Sequence, residues 1–199
     1  MGELAEKIEI SPEAYLEAER QAETKSEYID GCVLAMAGAS RRHNQIVFNI
    51  SGSIWNQLKN RQCAAYVSDM RVKVRETGMY AYPDLTAVCD EPEFEDVQVD
   101  TLLNPSLIVE VLSASTEVYD RGEKFAHYRR LSSISEYVLV SQDKMRVEHF
   151  LRQGEKWVLS EFQRGDDRVA LSSIGCELLL GDVYSKAALD DAPQTRSDT

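Results

Sequence analysis

The sequence predicts an α/β domain, bordering on α+β, in which a central mixed sheet is flanked by helices and followed by additional C-terminal strands. Three observations lead there. The run Leu107-Ile108-Val109-Glu110-Val111-Leu112 is almost continuously apolar, as expected of a strand covered on both faces. From Ser40 to about Lys59 the apolar spacing becomes helical, with Ile46, Val47, Ile50, Ile54 and Leu58 in one stripe joined by Trp55. The order of elements is helix, hairpin, helix, several strands, helix, strands, with no internal repeat and no dividing linker.

The elements follow from local chemistry. Ser11-Pro12-Glu13 starts a helix, with serine as cap and proline in the first turn, and it runs to about Arg20. Residues 27–36 form a hairpin that turns at Asp30-Gly31. After the long helix, residues 64–67 and 70–75 are strand-like, and Glu76-Thr77-Gly78 marks a turn. Strands over 85–88 and 107–112 are joined by an acidic loop, Asp90-Glu91-Pro92-Glu93-Phe94-Glu95-Asp96. Asp120 caps a helix over 121–131, with Glu123 three residues on as in a capping box. Residues 136–140, 146–151, 157–162 and 169–171 supply the late strands. The domain is expected to span 11–187, after an extension of 1–10 and before a polar, flexible tail of 188–199.

Bulk properties narrow the class. A chain of 199 residues can bury a substantial core. No run approaches the roughly 20 apolar residues that cross a bilayer, so no membrane partner is expected. The start, Met1 to Lys7, has no secretory pattern, and a cytoplasmic location follows as the expectation. Cys32, Cys63, Cys89 and Cys176 are scattered and read as small buried hydrophobes in a reducing compartment, not as zinc ligands or disulfides. The net charge of −12 weighs against tight nonspecific duplex binding. Basic residues nevertheless gather at Arg41-Arg42-His43, at Arg71-Val72-Lys73-Val74-Arg75 and between Arg121 and Arg130. No glycine-rich phosphate loop is present, and no Ser-His-Asp or Cys-His set stands out.

The chemistry concentrates on a few charged residues set into apolar stretches. Asp84 follows Pro83 at a strand start, and Glu110 interrupts an apolar strand. Alternation puts Glu110 on one face with Ile108 and Leu112. A buried carboxylate needs a partner, and two on neighbouring strands make the hard-oxygen site magnesium prefers. A structural arginine for Glu110 and a simple turn role for Asp84 are the competing readings. Lys124 shares an apolar helix face with Tyr128 and Leu131 and lies in early turns, where the macrodipole disfavours a cation. Either its ammonium reaches the carboxylates, or its stem packs while its head stays wet.

The pattern Pro83-Asp84, then Glu110-Val111-Leu112-Ser113, then Asp120, Lys124 and Tyr128, resembles the PD-(D/E)XK nuclease superfamily. More narrowly it resembles the bacterial Uma-two family of restriction-endonuclease-like proteins. Glu27-Tyr28-Ile29-Asp30-Gly31, His43-Asn44 and Glu136-Tyr137-Val138-Leu139-Val140 add to the match, which covers about 11 to 184. The resemblance implies a restriction-endonuclease-like fold and a metal-dependent endonuclease hydrolysing DNA phosphodiester bonds. It implies Mg2+, with Mn2+ as a substitute, held by Asp84, Glu110 and the Val111 carbonyl. The superfamily's lysine two residues after the glutamate is Leu112 here, and the resemblance implies that Lys124 supplies the ammonium instead. Glu27 and His43 would be supporting residues at the cleft edge. For Glu27 an exposed strand position is the alternative, and for His43 a helix-end histidine bonded to backbone. A protein that keeps the nuclease fold without cutting is the alternative function. Enzymes that cut both strands often pair two sites, which makes a homodimer the assembly to look for.

Overall fold

The computed structural model describes residues 10–188. The expected extension and tail lie outside these residues, apart from Ile10 and Ala188.

A six-stranded sheet forms the centre. Its order is β11 (Lys156–Phe162), β10 (Val147–Gln153), β9 (Glu136–Ser141), β8 (Leu107–Leu112), β6 (Leu85–Val88) and β3 (Ala64–Val67). Strands β8 and β9 are parallel, and the other neighbours are antiparallel. A second sheet has the order β2 (Cys32–Ala35), β1 (Ser26–Ile29), β5 (Met79–Ala81), β4 (Arg71–Val74) and β7 (Thr101–Leu102). The expected central mixed sheet is thus joined by a second large one, besides a two-stranded pair. Both large sheets are mixed, since β4 and β7 pair in parallel.

Both faces of the central sheet are covered. Leu107, Val109 and Val111 face α2 (Arg41–Leu58), whose Ile46, Ile50, Ile54 and Leu58 are buried. The two-stranded β12 (Arg168–Leu171) and β13 (Cys176–Leu179), with α5 (Leu180–Val183), close this side. Ile108 and Leu112 face the second sheet and a helical segment over 117–128. This explains why the β8 run is apolar at both parities. Trp55 does not join the buried stripe and is 66% exposed. It lies one residue, about 100° of helical turn, past Ile54.

Several local expectations hold in detail. Ser11 caps α1 (Pro12–Glu19) by accepting from the Ala14 amide, and α2 spans the expected helical stretch, with a cap at Ser40 that accepts from the His43 amide and was not among the expectations. The β1–β2 turn has positive φ at Asp30 (47°) and Gly31 (82°), the double left-handed pattern of a tight hairpin turn. The third helix differs from its expectation. It begins at α3 (Glu117–Tyr119), widens into a π-helical turn (Asp120–Lys124) and ends as α4 (Phe125–Tyr128). Asp120 is therefore not a cap but a buried residue within the helix.

The cysteine expectation fails at two of four positions. Cys63 and Cys89 form a disulfide, while Cys32 and Cys176 are free. The cause is register: β3 and β6 pair Ala64 with Val88, so the next step sets Cys63 opposite Cys89. The acidic loop is also less free than its composition suggests. Asp96 and Asp100 bind Arg20, Asp100 also binds Arg71, and Glu95 binds Lys73.

Candidate functional site

The site forms where strand β8, the strand start at Pro83-Asp84, strand β1 and the wide helical turn meet. The β6–β8 ladder pairs Leu85 with Val109, and one further step brings Asp84 alongside Glu110. Asp84 Oδ2 accepts from the Val111 amide at 2.7 Å and lies 3.1 Å from His43 Nε2. His43 belongs to the first turn of α2, and its ring reaches Asp84 just before β6. Burial opposes the charged imidazolium of His43. Its hydrogen bond with Asp84, the charges of Asp84 and Asp120 and the Val111 backbone together raise its pKa above the ordinary value.

Lys124 stands at the centre of the cluster. Its Nζ lies 2.9 Å from Glu110 Oε1, 2.9 Å from Glu27 Oε1 and 3.7 Å from Asp120 Oδ1. All four side chains are buried. The wide helical turn matters here, because it directs both Asp120 and Lys124 inward. Glu27 Oε1 also accepts from the Tyr82 amide at 3.0 Å, which ties β1 to the Pro83-Asp84 segment. Tyr128 donates its hydroxyl to Glu110 Oε1 at 3.3 Å.

The structure thus joins Glu27, Glu110 and Lys124 in direct contact. Asp84 and His43 contact each other and connect to the rest through Val111 and the adjoining strand. Glu27 is buried, so the exposed-strand reading of it is overturned. Leu112 is buried in the apolar cluster on the Glu110 side of β8. Two residues of the cluster escaped sequence reasoning in this role. Asp120 had been assigned to capping, and the Tyr119 hydroxyl is buried without a hydrogen-bond partner. The spacing Asp120, Lys124, Tyr128, each four apart, was the available signal for the first.

The charge balance is lopsided. Glu27, Glu110 and Asp120 surround Lys124, while Asp84 is paired with His43. Burial pushes Glu110 well above the usual carboxylate range, and although Lys124 pulls it down, Asp120, Asp84 and Glu27 push it further up. Burial raises Asp120 as well, against the pull of Lys124. Lys124 is held well above its ordinary pKa: burial works against its charge, but Glu110, Glu27 and Asp120 outweigh that. Buried negative charge in excess of its cations is an environment that a divalent ion would relieve. The donors are hard oxygens, which suits magnesium or manganese. Two carboxylates leave room for the waters and phosphate oxygens that magnesium retains. Among the described residues, the acids and histidine of this cluster do not form a set of three whose ligand atoms all lie within 4.8 Å of one another.

The comparisons with known proteins agree with this architecture. A crystal structure from Anabaena variabilis, described as a "putative nuclease belonging to DUF820", superposes with a TM-score of 0.74 at 19% identity. It covers 89% of this chain and 99% of that one. Two Synechocystis proteins, both described as uncharacterized, are similar in sequence. One, sll1609, is 40% identical over 159 residues, covering 79% of this chain and 90% of that protein. The other, slr1290, is 35% identical over 176 residues, covering 88% and 91%. The Uma2 family model, described as "Putative restriction endonuclease", matches residues 12–180, from the first helix to the start of the last, and the chain therefore belongs to the Uma2 family.

Proposed function

We propose that the protein is a metal-dependent endonuclease that hydrolyses DNA phosphodiester bonds. One observation carries the reading most: the Lys124 ammonium lies at the same carboxylate, Glu110, that pairs across the ladder with Asp84. Two strand-borne acids and one amine are the groups this chemistry needs, and here the amine comes from the helix while Leu112 fills the strand position.

Asp84 and Glu110 would hold Mg2+ or Mn2+, with the Val111 carbonyl as a third oxygen. When bound, the ion supplies charge stabilisation for a phosphoryl oxygen and a water acidic enough to react near neutral pH. The protein's own groups do the positioning. The Val111 amide fixes Asp84, and the Tyr82 amide fixes Glu27, which in turn holds Lys124. Lys124 donates hydrogen bonds where negative charge grows on the phosphate, in a site shielded from bulk water. His43, hydrogen-bonded to Asp84, would meet an adjoining phosphate. Next to it in the chain, Ser40, Arg41 and Arg42 line a cavity of about 420 Å³ shared with Lys186. That cationic rim offsets the net charge of −12 near the site.

A second reading is a nuclease-fold protein that binds without cutting, favoured by Leu112 and by the acidic net charge. Cleavage of plasmid and single-stranded DNA separates the two. The expected result is cutting with Mg2+ or Mn2+, none with chelator, and none in Asp84→Asn or Glu110→Gln. Lys124→Met should lose roughly 2–4 kcal/mol of transition-state stabilisation, about 30- to 1000-fold in rate. Wild-type protein that binds both ion and DNA yet leaves every substrate intact would establish the second reading instead.

A further inference from the structure

We infer that Asp30, Glu123 and His127 form a second cation site, for a borderline divalent ion of the zinc type, on the outer side of the helix that carries Lys124. One ring nitrogen of His127 and one carboxylate oxygen from each acid all lie within 4.8 Å of one another. None of these side chains has a hydrogen bond or ion pair to another described residue, including each other. They are therefore too far apart to bond directly, yet close enough that one ion with bonds of about 2.0–2.2 Å reaches all three after small side-chain adjustments.

The second observation is the histidine itself. His127 Nδ1 is shut off from solvent and has no hydrogen-bond partner. A buried polar nitrogen left unpaired is costly, and native structures rarely keep one without a role. The two acids beside it are exposed, so each can rotate toward an ion without losing a partner. Backbone geometry supports the placement. Glu123 and His127 are four residues apart, and Asp30 sits at the tip of the β1–β2 turn in a left-handed conformation.

The donor set fixes the chemistry. An imidazole with two carboxylates favours zinc, cobalt or nickel over magnesium, whereas the buried Asp84–Glu110 pair is all oxygen. The two sites thus differ in preferred metal. An ion at the outer site would tie the hairpin tip, three residues beyond Glu27, to a helix position adjacent to Lys124. It would brace both partners of the buried Lys124–Glu27 contact from outside. This inference stands whether or not the buried cluster cuts DNA.

The test counts zinc bound per full-length chain by equilibrium dialysis, starting from chelator-stripped protein. Wild type and Asp84→Asn should each bind one zinc tightly. His127→Gln and Asp30→Asn should bind it at least about ten-fold more weakly, with unchanged circular dichroism. Asparagine tolerates the left-handed backbone at position 30, so that variant keeps the turn. Failure of wild type to bind zinc overturns the inference. So does full binding by His127→Gln and Asp30→Asn, or loss of binding in Asp84→Asn. Cobalt substitution provides a separate check: a strong thiolate-to-metal absorption band would place a cysteine, Cys32 or Cys176, at the ion and also overturn it.

Discussion

Lys124→Met is the substitution that most directly tests the electrostatics of the buried cluster. Methionine keeps most of the stem volume and removes only the ammonium, leaving Glu27, Glu110 and Asp120 buried around an uncharged group. Breaking a buried ion pair on one side costs about 3–5 kcal/mol. The cluster has one means of relief: a carboxyl can take up a proton. Starting from an ordinary carboxylate pKa of about 4.3, holding that proton costs about 4 kcal/mol at pH 7 and about 1 kcal/mol at pH 5. The penalty of the substitution should therefore be about 4 kcal/mol at pH 7 and shrink toward 1 kcal/mol at pH 5.

The sign follows from linkage. Glu110 is already raised above its unfolded pKa, so the native state binds more protons than the unfolded chain above that unfolded value. Stability from this group falls as pH rises through that window, and removal of Lys124 steepens the fall. Lys124 acts in the same direction higher up. Its raised pKa gives stability that is fully present below its unfolded value and lost as pH rises through the folded one. The assay is urea unfolding of wild type and Lys124→Met at pH 5.0 and 7.5, with Lys59→Met as an exposed control. A divalent ion should recover part of the loss, because it replaces the missing positive charge and binds only the folded form. A penalty under about 1 kcal/mol at pH 7.5, or one equal at both pH values, would refute the view that this ammonium neutralises the cluster.

Three other expectations test the frame around the site. Thiol titration of unfolded, unreduced protein should find two free cysteines, rising to four after reduction, and loss of the 26-residue link should remove about 3.5 kcal/mol of stability. Asp100→Asn should lose about 1–3 kcal/mol at pH 7 because Arg20 and Arg71 lose their shared acceptor. Arg20 and Arg71 hold the Asp100 carboxyl well below the usual range, so its contribution is present above the unfolded pKa and fades as pH falls through the folded one. In melting experiments at pH 7 and pH 3, the gap between wild type and variant should narrow in acid. Ile54→Ala should cost about 2–4 kcal/mol in denaturant unfolding, while Trp55→Ala should change stability by less than about 0.5 kcal/mol.

What the sequence disclosed depended on whether the signal was local. Ser11-Pro12 and Asp30-Gly31 specify a cap and a turn from adjacent residues, and both appear as read. The alternation of β8 placed Glu110 opposite the α2-facing residues without any knowledge of neighbours. Lys124 betrayed itself by being out of place, a cation on the apolar helix face it shares with Tyr128. The features that stayed hidden depend on pairing between distant segments. Nothing in the sequence fixes which strands form the second sheet, and β5 and β7 are only three and two residues long. The disulfide needed the β3–β6 register, and the wide turn at Asp120 overrode a plausible capping box. Trp55 was misplaced because a 100° step separates the buried stripe from open solvent.

Seating the amine on a helix, with Leu112 on the strand, has a structural consequence under the proposed function. A lysine on β8 would be fixed by the ladder that also fixes Glu110, so amine and acid would move as one body. Lys124 instead depends on a helix that begins at Thr116, widens for five residues and resumes for only four. Its seat is set by packing of Phe125 and Tyr128 against Tyr137, and by the contacts of its ammonium with Glu27 and Glu110. Leu112 takes part in the same apolar cluster as Phe125 and Tyr128, so it helps hold the helix that carries Lys124. Position 112 and position 124 are therefore coupled: restoring a lysine at 112 would bury a second ammonium beside the first and remove packing from beneath the helix.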